Sequence, residues 1–267
     1  MYHQLLIPVK EPSEVEPTIE IGARLLEPGG EIRILHIIPT TTMPQVTREW
    51  RASVNIVVPA HETGAALDVR VEPEVRANVD VPGEILESAE AHEVDAILMT
   101  LAGDRRSRNP FVGHTASAVL HHARCDVVIV NRLALASSRV PRILLPTFGE
   151  MPTPRALQIA EELGLKMPGV ALTVLSLAPE GTAPTPPDPE GTSPRGLPLR
   201  HKYVGGATPF VRRRRLPEFL LGIAARERYG LLLIGEDSRA GTTPLLTRRF
   251  LEDLFRAAPC PVIAVRS

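Results

Sequence analysis

An internal repeat constrains the fold of this chain more than any other feature of its sequence. The apolar segment at residues 5–8 (LLIP) recurs at residues 143–146 (ILLP), and the segment at residues 123–127 (ARCDV) recurs at residues 258–262 (APCPV). The two segments keep their order in both halves of the chain. One fold is therefore expected to occur twice, and 267 residues are enough for two domains of common size.

The two domains are predicted at residues 1–135 and 139–267. The joint between them is too short to act as a free tether, so we expect the halves to pack together as an internal pseudo-dimer. The repeat is interrupted in the second half by residues 178–216, which are dense in Pro, Gly, Thr and Arg. The proline-rich front of this stretch has few apolar residues to bury. This predicts a mobile excursion, with a short strand somewhere in residues 199–211.

The order of apolar segments predicts a parallel α/β sheet in the first half. Residues 4–9 and 31–38 are typical of buried strands, and residues 17–26 between them have helical spacing with Pro17 at the start. Strand, helix and strand then form a right-handed crossover. The remaining elements are predicted as an edge strand at residues 68–79, a helix at residues 82–92, and two buried strands around a further helix in residues 94–132.

Five strands in the order 3-2-1-4-5 follow if successive strands build outward from the first one, which makes each half a doubly wound domain. The second half repeats the pattern, with strands at residues 143–146, 170–177 and 231–235 and helices at residues 155–164 and 217–229. Residues 40–64 stay open, because residues 50–58 fit either a helix or an extended piece. This is also the usual place for a mobile flap.

Composition argues against several classes of protein. A net charge of −1 does not indicate a nucleic-acid binder, and four arginines at residues 212–215 without an aromatic platform are more typical of a solvated edge. No apolar run approaches the roughly 20 residues of a membrane span, and no signal segment opens the chain. Cys125 and Cys260 stand in equivalent places, which favours two reduced, packed thiols. We therefore expect a soluble, cytoplasmic protein that binds no nucleic acid.

A loop with two glycines follows the fourth predicted strand. Gly103 and Gly113 have nine residues between them, and the helical pattern begins directly after Gly113. Glycines in such a loop let backbone N–H groups approach a phosphate, and the N-terminus of a helix favours an anion. Arg105 and Arg106 in the loop, and Lys10 after the first strand, would add positive charge at the switch point of the sheet.

This stretch resembles the universal stress protein family, whose pattern is Gly, two residues, Gly, nine residues, Gly, then Ser or Thr. Thr100 stands at the first glycine, Gly103 and Gly113 match the others, and His114 replaces the hydroxyl residue, with Thr115 next. The resemblance implies parallel α/β domains, single or in tandem, that pair through their last strands, so a homodimer is a candidate assembly. Some members bind ATP, and others lack the motif and do not. Modules of this family also occur fused behind the membrane domains of transporters.

The chain departs from the family at the residues that would hold adenosine. An aspartate ends the first strand of nucleotide-binding members, whereas Lys10 stands there in the first half and Phe148 in the second. The second loop keeps Gly235 but has Ser238, Arg248 and Arg249 at the later motif positions. A site is therefore expected in the first half, either as a cradle for ATP, another nucleotide or another phosphate, or as an inherited turn that is now empty. The residues predicted for the cradle are Val9, Lys10, Gly103, Arg105, Arg106, Gly113, His114 and Thr115.

No catalytic constellation and no metal site is predicted. His36 lies inside a strand and is expected to be packed or hydrogen-bonded, while His121 and His122 are adjacent on a helix and so point to different faces. The sequence favours a non-catalytic stress-response or regulatory module. The alternatives are a cytosolic regulatory domain of a membrane transporter, as partner or fusion, and a weak ATP-hydrolysing enzyme, for which no positioned base is visible.

Overall fold

The chain folds into two compact units. The computed structural model describes residues 1–40, 42–101, 113–131, 142–147, 153–167, 169–177, 190–204, 215–236 and 246–267. One unit comprises Met1–Thr100 and Gly113–Val128, and the other contains the described part of Ile129–Ser267. The predicted domain bounds at residues 135 and 139 stay a prediction because residues 132–141 lie outside the described part of the chain. The predicted packing of the halves as a pseudo-dimer also stays a prediction.

The first unit contains a sheet with the order β3-β2-β1-β4-β5, which is the order predicted from the sequence. Its elements are β1 (Tyr2–Val9), α1 (Pro12–Leu25), β2 (Leu26–Ile38), α2 (Met43–Ala52), α3 (Val54–Ala66), β3 (Arg70–Ala77), α4 (Val81–Ala91), β4 (Ala96–Leu101), α5 (His114–His122) and β5 (Asp126–Asn131). β1 pairs in parallel with both β2 and β4, and β2 pairs in parallel with β3. This is the parallel α/β architecture that the apolar segments indicate.

Helices cover the first sheet in two layers. α1 packs with α3, and α4 packs with α5. The chain runs along the sheet in one direction from β1 to β3 and in the other direction from β3 to β5. Because both sets of crossovers are right-handed, α1 and α3 lie on one face and α4 and α5 on the other. The inner strands are consequently buried on both sides, and Leu5, Leu6 and Ile97 are fully inaccessible to solvent.

The first helix starts earlier than its apolar spacing predicts. α1 begins at Pro12 instead of Pro17, and Pro17 lies inside the helix. Glu11 and Glu14 form a capping box that satisfies backbone N–H groups at the start, and Pro12 has no N–H group to satisfy. β2 then begins directly at Leu26, five residues before the predicted strand. Gly29 lies within it at a φ of +81°, a left-handed conformation that glycine adopts without a Cβ clash.

The stretch that the sequence leaves open is helical. α2 and α3 occupy most of residues 40–64, and they are separated by the buried Ser53. The Ser53 hydroxyl donates a hydrogen bond to the Glu49 carbonyl, and its backbone N–H donates to the carbonyls of Glu49 and Trp50. α2 is unusual because none of its ten residues is buried.

The second unit repeats the fold with one addition. Its elements are β6 (Arg142–Thr147), α6 (Pro154–Leu165), β7 (Ala171–Leu177), β8 (Glu190–Thr192), β9 (Pro198–Val204), α7 (Leu216–Arg226), β10 (Leu231–Glu236), α8 (Arg248–Ala257) and β11 (Val262–Arg266). The strand order is β11-β10-β6-β7-β9-β8. β6, β7, β9, β10 and β11 correspond to the five predicted strands.

The prediction of a five-stranded, wholly parallel sheet is wrong for this unit. β8 pairs with β9 in an antiparallel sense. A tight turn makes the hairpin possible: Gly196 takes a φ of +85°, and its N–H donates to the Ser193 carbonyl. β9 is the predicted third strand, and most of the predicted mobile excursion at residues 178–216 lies outside the described residues.

No helix in the described part of the chain is both long enough and apolar enough to cross a membrane.

Candidate functional site

A cavity of about 720 Å³ opens in the first unit where β1 and β2 end. Carboxyl ends of parallel strands are the usual ligand sites of such sheets, and this volume is within the range of small-molecule sites. The lining residues come from the ends of β1, β2 and β4 and from α1, α2, α4 and α5. They are Pro8, Val9, Lys10, Glu14, Leu35, His36, Ile37, Ile38, Pro39, Thr40, Gln45, Arg48, Glu49, Val81, Ile85, Met99 and Thr115.

Three of the eight predicted site residues line this cavity, namely Val9, Lys10 and Thr115. Gly113 lies directly before α5, and His114 is the exposed first residue of that helix. Gly103, Arg105 and Arg106 lie outside the described residues. The cradle as a whole therefore stays a prediction, although β1 and α5 bring its first and last members to one cavity.

Gly113 leaves the N-terminus of α5 open. Its φ of −57° and ψ of 159° are available to any residue, so the backbone conformation does not require glycine here. A Cβ atom at this position would meet no described atom within 4 Å, and no side chain of a described residue caps the helix. The first N–H groups of α5 are therefore available to a ligand that approaches from the Gly113 side.

The N-terminus of the corresponding helix in the second unit is capped by the side chain of the preceding residue. Thr247 stands directly before α8, and its hydroxyl oxygen accepts a hydrogen bond from the Phe250 N–H at 3.3 Å. Thr247 therefore fills the N-cap position of α8 that Gly113 fills in α5, and Arg248, the first residue of α8, does not serve as the cap. Arg248 instead pairs with Glu252 one turn further along α8, at 2.9 Å.

Gly235 has a packing role in the second unit. A Cβ atom there would lie 2.0 Å from Thr153 Oγ1 and 2.5 Å from Ala156 Cβ, both in the first turn of α6 or just before it. Glycine is needed because α6 approaches β10 too closely for any side chain. The glycine that the second loop shares with the family pattern is explained by this contact.

Glu14 is a cavity residue that the sequence analysis missed. Its Oε2 atom accepts hydrogen bonds from the backbone N–H groups of Lys10, at 2.8 Å, and Glu11, at 3.2 Å. Its other oxygen, Oε1, has no hydrogen bond to a described residue. The cavity thus contains a carboxylate oxygen that can accept a hydrogen bond from a ligand. The spacing of Glu11 and Glu14 before an apolar helix was the signal that could have identified it.

His36 is hydrogen-bonded, as predicted, and it also lines the cavity. Its Nδ1–H donates to the Val9 carbonyl at 3.1 Å, across the pairing of β1 and β2. This bond holds the ring against the end of β1 and leaves Nε2 for other partners. The prediction of a packed strand histidine is confirmed, but its position at the ligand-sized cavity follows only from the tertiary structure.

The charges around the cavity are mixed. The Lys10 side chain is exposed and has no hydrogen bond or ion pair with a described residue. Arg48 pairs with Glu49 at 3.2 Å, and three quarters of its side chain is exposed (75%). The remaining lining is largely apolar, with Ile85 and Met99 among the buried residues. Such a cavity suits a small ligand with an apolar body and polar groups.

Neither cysteine offers a reactive thiolate. Burial raises the pKa of Cys125 to about 11, with Asp126 adding to the effect, and burial raises the pKa of Cys260 to about 11 as well. Both thiols are free of disulfides, as predicted. Within the described residues no group of three His, Cys, Asp or Glu side chains is placed to hold a metal ion.

Sequence and structure comparisons agree on the fold. The model of the Universal stress protein family matches residues 1–131. A universal stress protein from Archaeoglobus fulgidus is 16% identical, with a TM-score of 0.67 over 98% of this chain and 95% of that one. The cytoplasmic domain of a prokaryotic cation chloride cotransporter is 15% identical, with a TM-score of 0.55 over 99% of this chain and 95% of that one. No curated protein matches the chain.

Proposed function

We propose that this chain, whose residues 1–131 belong to the universal stress protein family, is a non-catalytic stress-response or regulatory protein with a phosphate-ligand site in its first unit. One observation carries the proposal: a ligand-sized cavity lies at the carboxyl ends of β1 and β2 and is lined by Lys10 and Thr115. ATP, another nucleotide or another organic phosphate is the proposed ligand class. No resident metal is proposed.

Two features next to the cavity favour an anion. Lys10 has a charge that no described partner neutralises, and α5 begins one residue before Thr115, with Gly113 as its N-cap. A phosphate placed between them would accept charge-assisted hydrogen bonds from both. The predicted loop residues Gly103, Arg105 and Arg106 precede α5 in the chain and are proposed to complete this cradle.

The proposed binding is led by the phosphate. Lys10 cannot accept a hydrogen bond from a ribose or a base, so it provides no selection for adenosine. The carboxylates of Glu14 and Glu49, which line the cavity, are not selective for adenosine over guanosine by position. We therefore expect ATP and GTP to bind with similar affinity, and AMP to bind more weakly because it has fewer phosphate oxygens.

Calorimetric titrations of ATP, GTP, AMP and pyrophosphate test this proposal. The Gly113→Val variant blocks the approach to α5, and its Cβ atom meets no described atom within 4 Å, so ATP affinity should fall by about ten- to a hundredfold without loss of the fold. Lys10→Asp reverses the charge at the cavity and should weaken pyrophosphate at least as strongly. Absence of heat with every ligand at millimolar concentration would refute the phosphate site, and tight ATP binding that excludes GTP would refute the role given to Lys10.

A second candidate function is supported by one structural likeness. The cytoplasmic domain of a cation chloride cotransporter has the same fold over nearly the whole chain. We propose as the alternative that this chain is a cytoplasmic regulatory domain that is fused to, or binds, a membrane transporter. The coding sequence upstream of Met1 separates the fused form from a free protein: an open frame with membrane-spanning segments supports fusion, and an in-phase stop codon next to the start excludes it.

ATP hydrolysis and self-association are the remaining proposals from the family. Steady phosphate release above a protein-free blank, lost in Arg105→Ala, would replace the non-catalytic proposal with that of a weak ATPase. Self-association through a last strand predicts a homodimer, which sedimentation equilibrium would detect as a doubling of the 29.1 kDa mass.

A further inference from the structure

Helix α2 forms one wall of the cavity while packing loosely on the rest of the first unit. Gln45, Arg48 and Glu49 line the cavity, yet no residue of the helix is buried. Met43 and Trp50 are 73% and 54% exposed. A helix without a buried apolar face gains little stability from packing, so its position can respond to a ligand at low free-energy cost.

Polar side chains attach α2 to the end of β2. Gln45 Oε1 accepts hydrogen bonds from the hydroxyl groups of Thr40 and Thr42, each at 2.7 Å. The two hydroxyl oxygens lie 3.2 Å apart. Thr40 and Gln45 both line the cavity, so these bonds hold the first turn of α2 at its rim. Arg48 follows one turn later on the same helix.

Arg48 is held only weakly in its present position. Its NH2 group contacts Glu49 Oε1 at 3.2 Å, and the side chain is 75% exposed. Such an exposed pair is weak because water screens both charges. The guanidinium group can therefore leave Glu49 and bind a phosphate. Its planar arrangement of N–H groups can donate to two phosphate oxygens at once.

We propose that Arg48 is a ligand-binding residue of this cavity, and that α2 brings it onto the anionic group of an organic phosphate whose body rests on the apolar lining. The inference rests on the proposed function. It adds a second cation, Arg48, which lies in α2 and outside the glycine motif. Lys10, which directly follows β1, and Arg48 from α2 then bind the same anionic group.

The chain offers a matched control for this test. Arg51 lies on the same helix and is exposed, but it does not line the cavity. Arg48→Ala and Arg51→Ala remove the same charge from the same element. Trp50 is the chain's single tryptophan and lies on α2, so its emission reports the environment of this helix directly.

ATP is titrated into the wild type and the variants, and heat and Trp50 emission are recorded. Arg48→Ala should weaken ATP binding by about ten- to a hundredfold, whereas Arg51→Ala should change it by no more than about twofold. The ATP affinity of Arg48→Lys should lie between those of the two alanine variants, because lysine keeps the positive charge but lacks the planar guanidinium group. Trp50 emission should change on ATP addition in the wild type and in Arg51→Ala.

The outcomes separate this inference from the proposed function. Wild-type binding of ATP that Arg48→Ala and Arg51→Ala leave equally unchanged would overturn the role of Arg48 and retain the phosphate site. A wild type that binds neither ATP nor pyrophosphate would overturn both. Equal weakening by the two alanine variants would also overturn the inference, because it would show a general charge effect. Circular dichroism spectra identical to the wild type confirm that each variant is folded.

Discussion

Replacing Gly235 with alanine should destabilise the second unit strongly, because the strand β10 and the helix α6 are in direct contact at this glycine. The new Cβ atom would lie 2.0 Å from Thr153 Oγ1 and 2.5 Å from Ala156 Cβ, far inside van der Waals distance. Rotation of the Thr153 side chain can move Oγ1, but the Ala156 Cβ atom is fixed to the backbone, so the helix itself must move. Overpacking of this kind costs about 1 to 3 kcal/mol.

The same substitution also disturbs a helix cap. Thr153 Oγ1 accepts a hydrogen bond from the Ala156 N–H at the start of α6, and the added methyl group displaces that oxygen. Loss of a threonine cap costs about 1 kcal/mol. We therefore expect Gly235→Ala to lower the free energy of unfolding by about 2 to 4 kcal/mol.

Gly113→Ala is the matched control in the first unit. There a Cβ atom meets no described atom within 4 Å, and the backbone conformation accepts alanine. Its stability should differ from the wild type by no more than about 1 kcal/mol. Urea unfolding followed by circular dichroism gives both values. Equal midpoints for Gly235→Ala and Gly113→Ala would refute the packing role of Gly235.

Two further predictions concern carboxylates of the first unit. Glu14→Ala removes the capping box of α1 and should cost about 0.5 to 2 kcal/mol in urea unfolding, whereas an unchanged midpoint would show that the cap does not stabilise the helix. Burial raises the pKa of Glu74, but hydrogen bonds from Arg76 and Ser88 outweigh it and hold the pKa below its ordinary value of 4.5. A lowered folded-state pKa stabilises the protein above the unfolded value, and this stabilisation is lost as the pH falls from about 4.5 through the folded value. The melting temperature of the wild type should therefore fall more steeply below about pH 4.5 than that of Glu74→Gln, and parallel curves would contradict the pairing.

Buried strands could be predicted from the sequence because burial on both faces requires continuous apolar runs. The runs that become β1 and β4 show no alternation, and their residues Leu6 and Ile97 are inaccessible. The edge strand β3 alternates apolar and polar residues in sequence, and most of its residues are half-buried. The order of the first sheet was predicted on the condition that successive strands build outward from the first one.

Other elements depend on contacts with segments that are distant in sequence, or on the capping of a helix end. Met43, Val46 and Trp50 of α2 recur at helical spacing, yet no residue of the helix is buried, so this pattern does not indicate where the helix packs. β8 has three residues and exists as a strand only through its pairing with β9. α1 starts at Pro12 because a capping box satisfies its first N–H groups, although its apolar spacing is clear only from Pro17.

The residues of the candidate site also fall into two groups: those that the sequence indicates and those that only the tertiary structure brings to the cavity. Val9, Lys10 and Thr115 could be placed near the switch point from the sequence, since strand order alone brings the ends of β1 and β4 to one edge. His36 and Arg48 line the same cavity for reasons that no local pattern contains, whereas the spacing of Glu11 and Glu14 indicates the cap of α1 but not that Glu14 lies at the cavity. A cavity wall is made wherever a helix or strand end happens to pack beside another, so its members are decided by tertiary contacts between segments far apart in the chain.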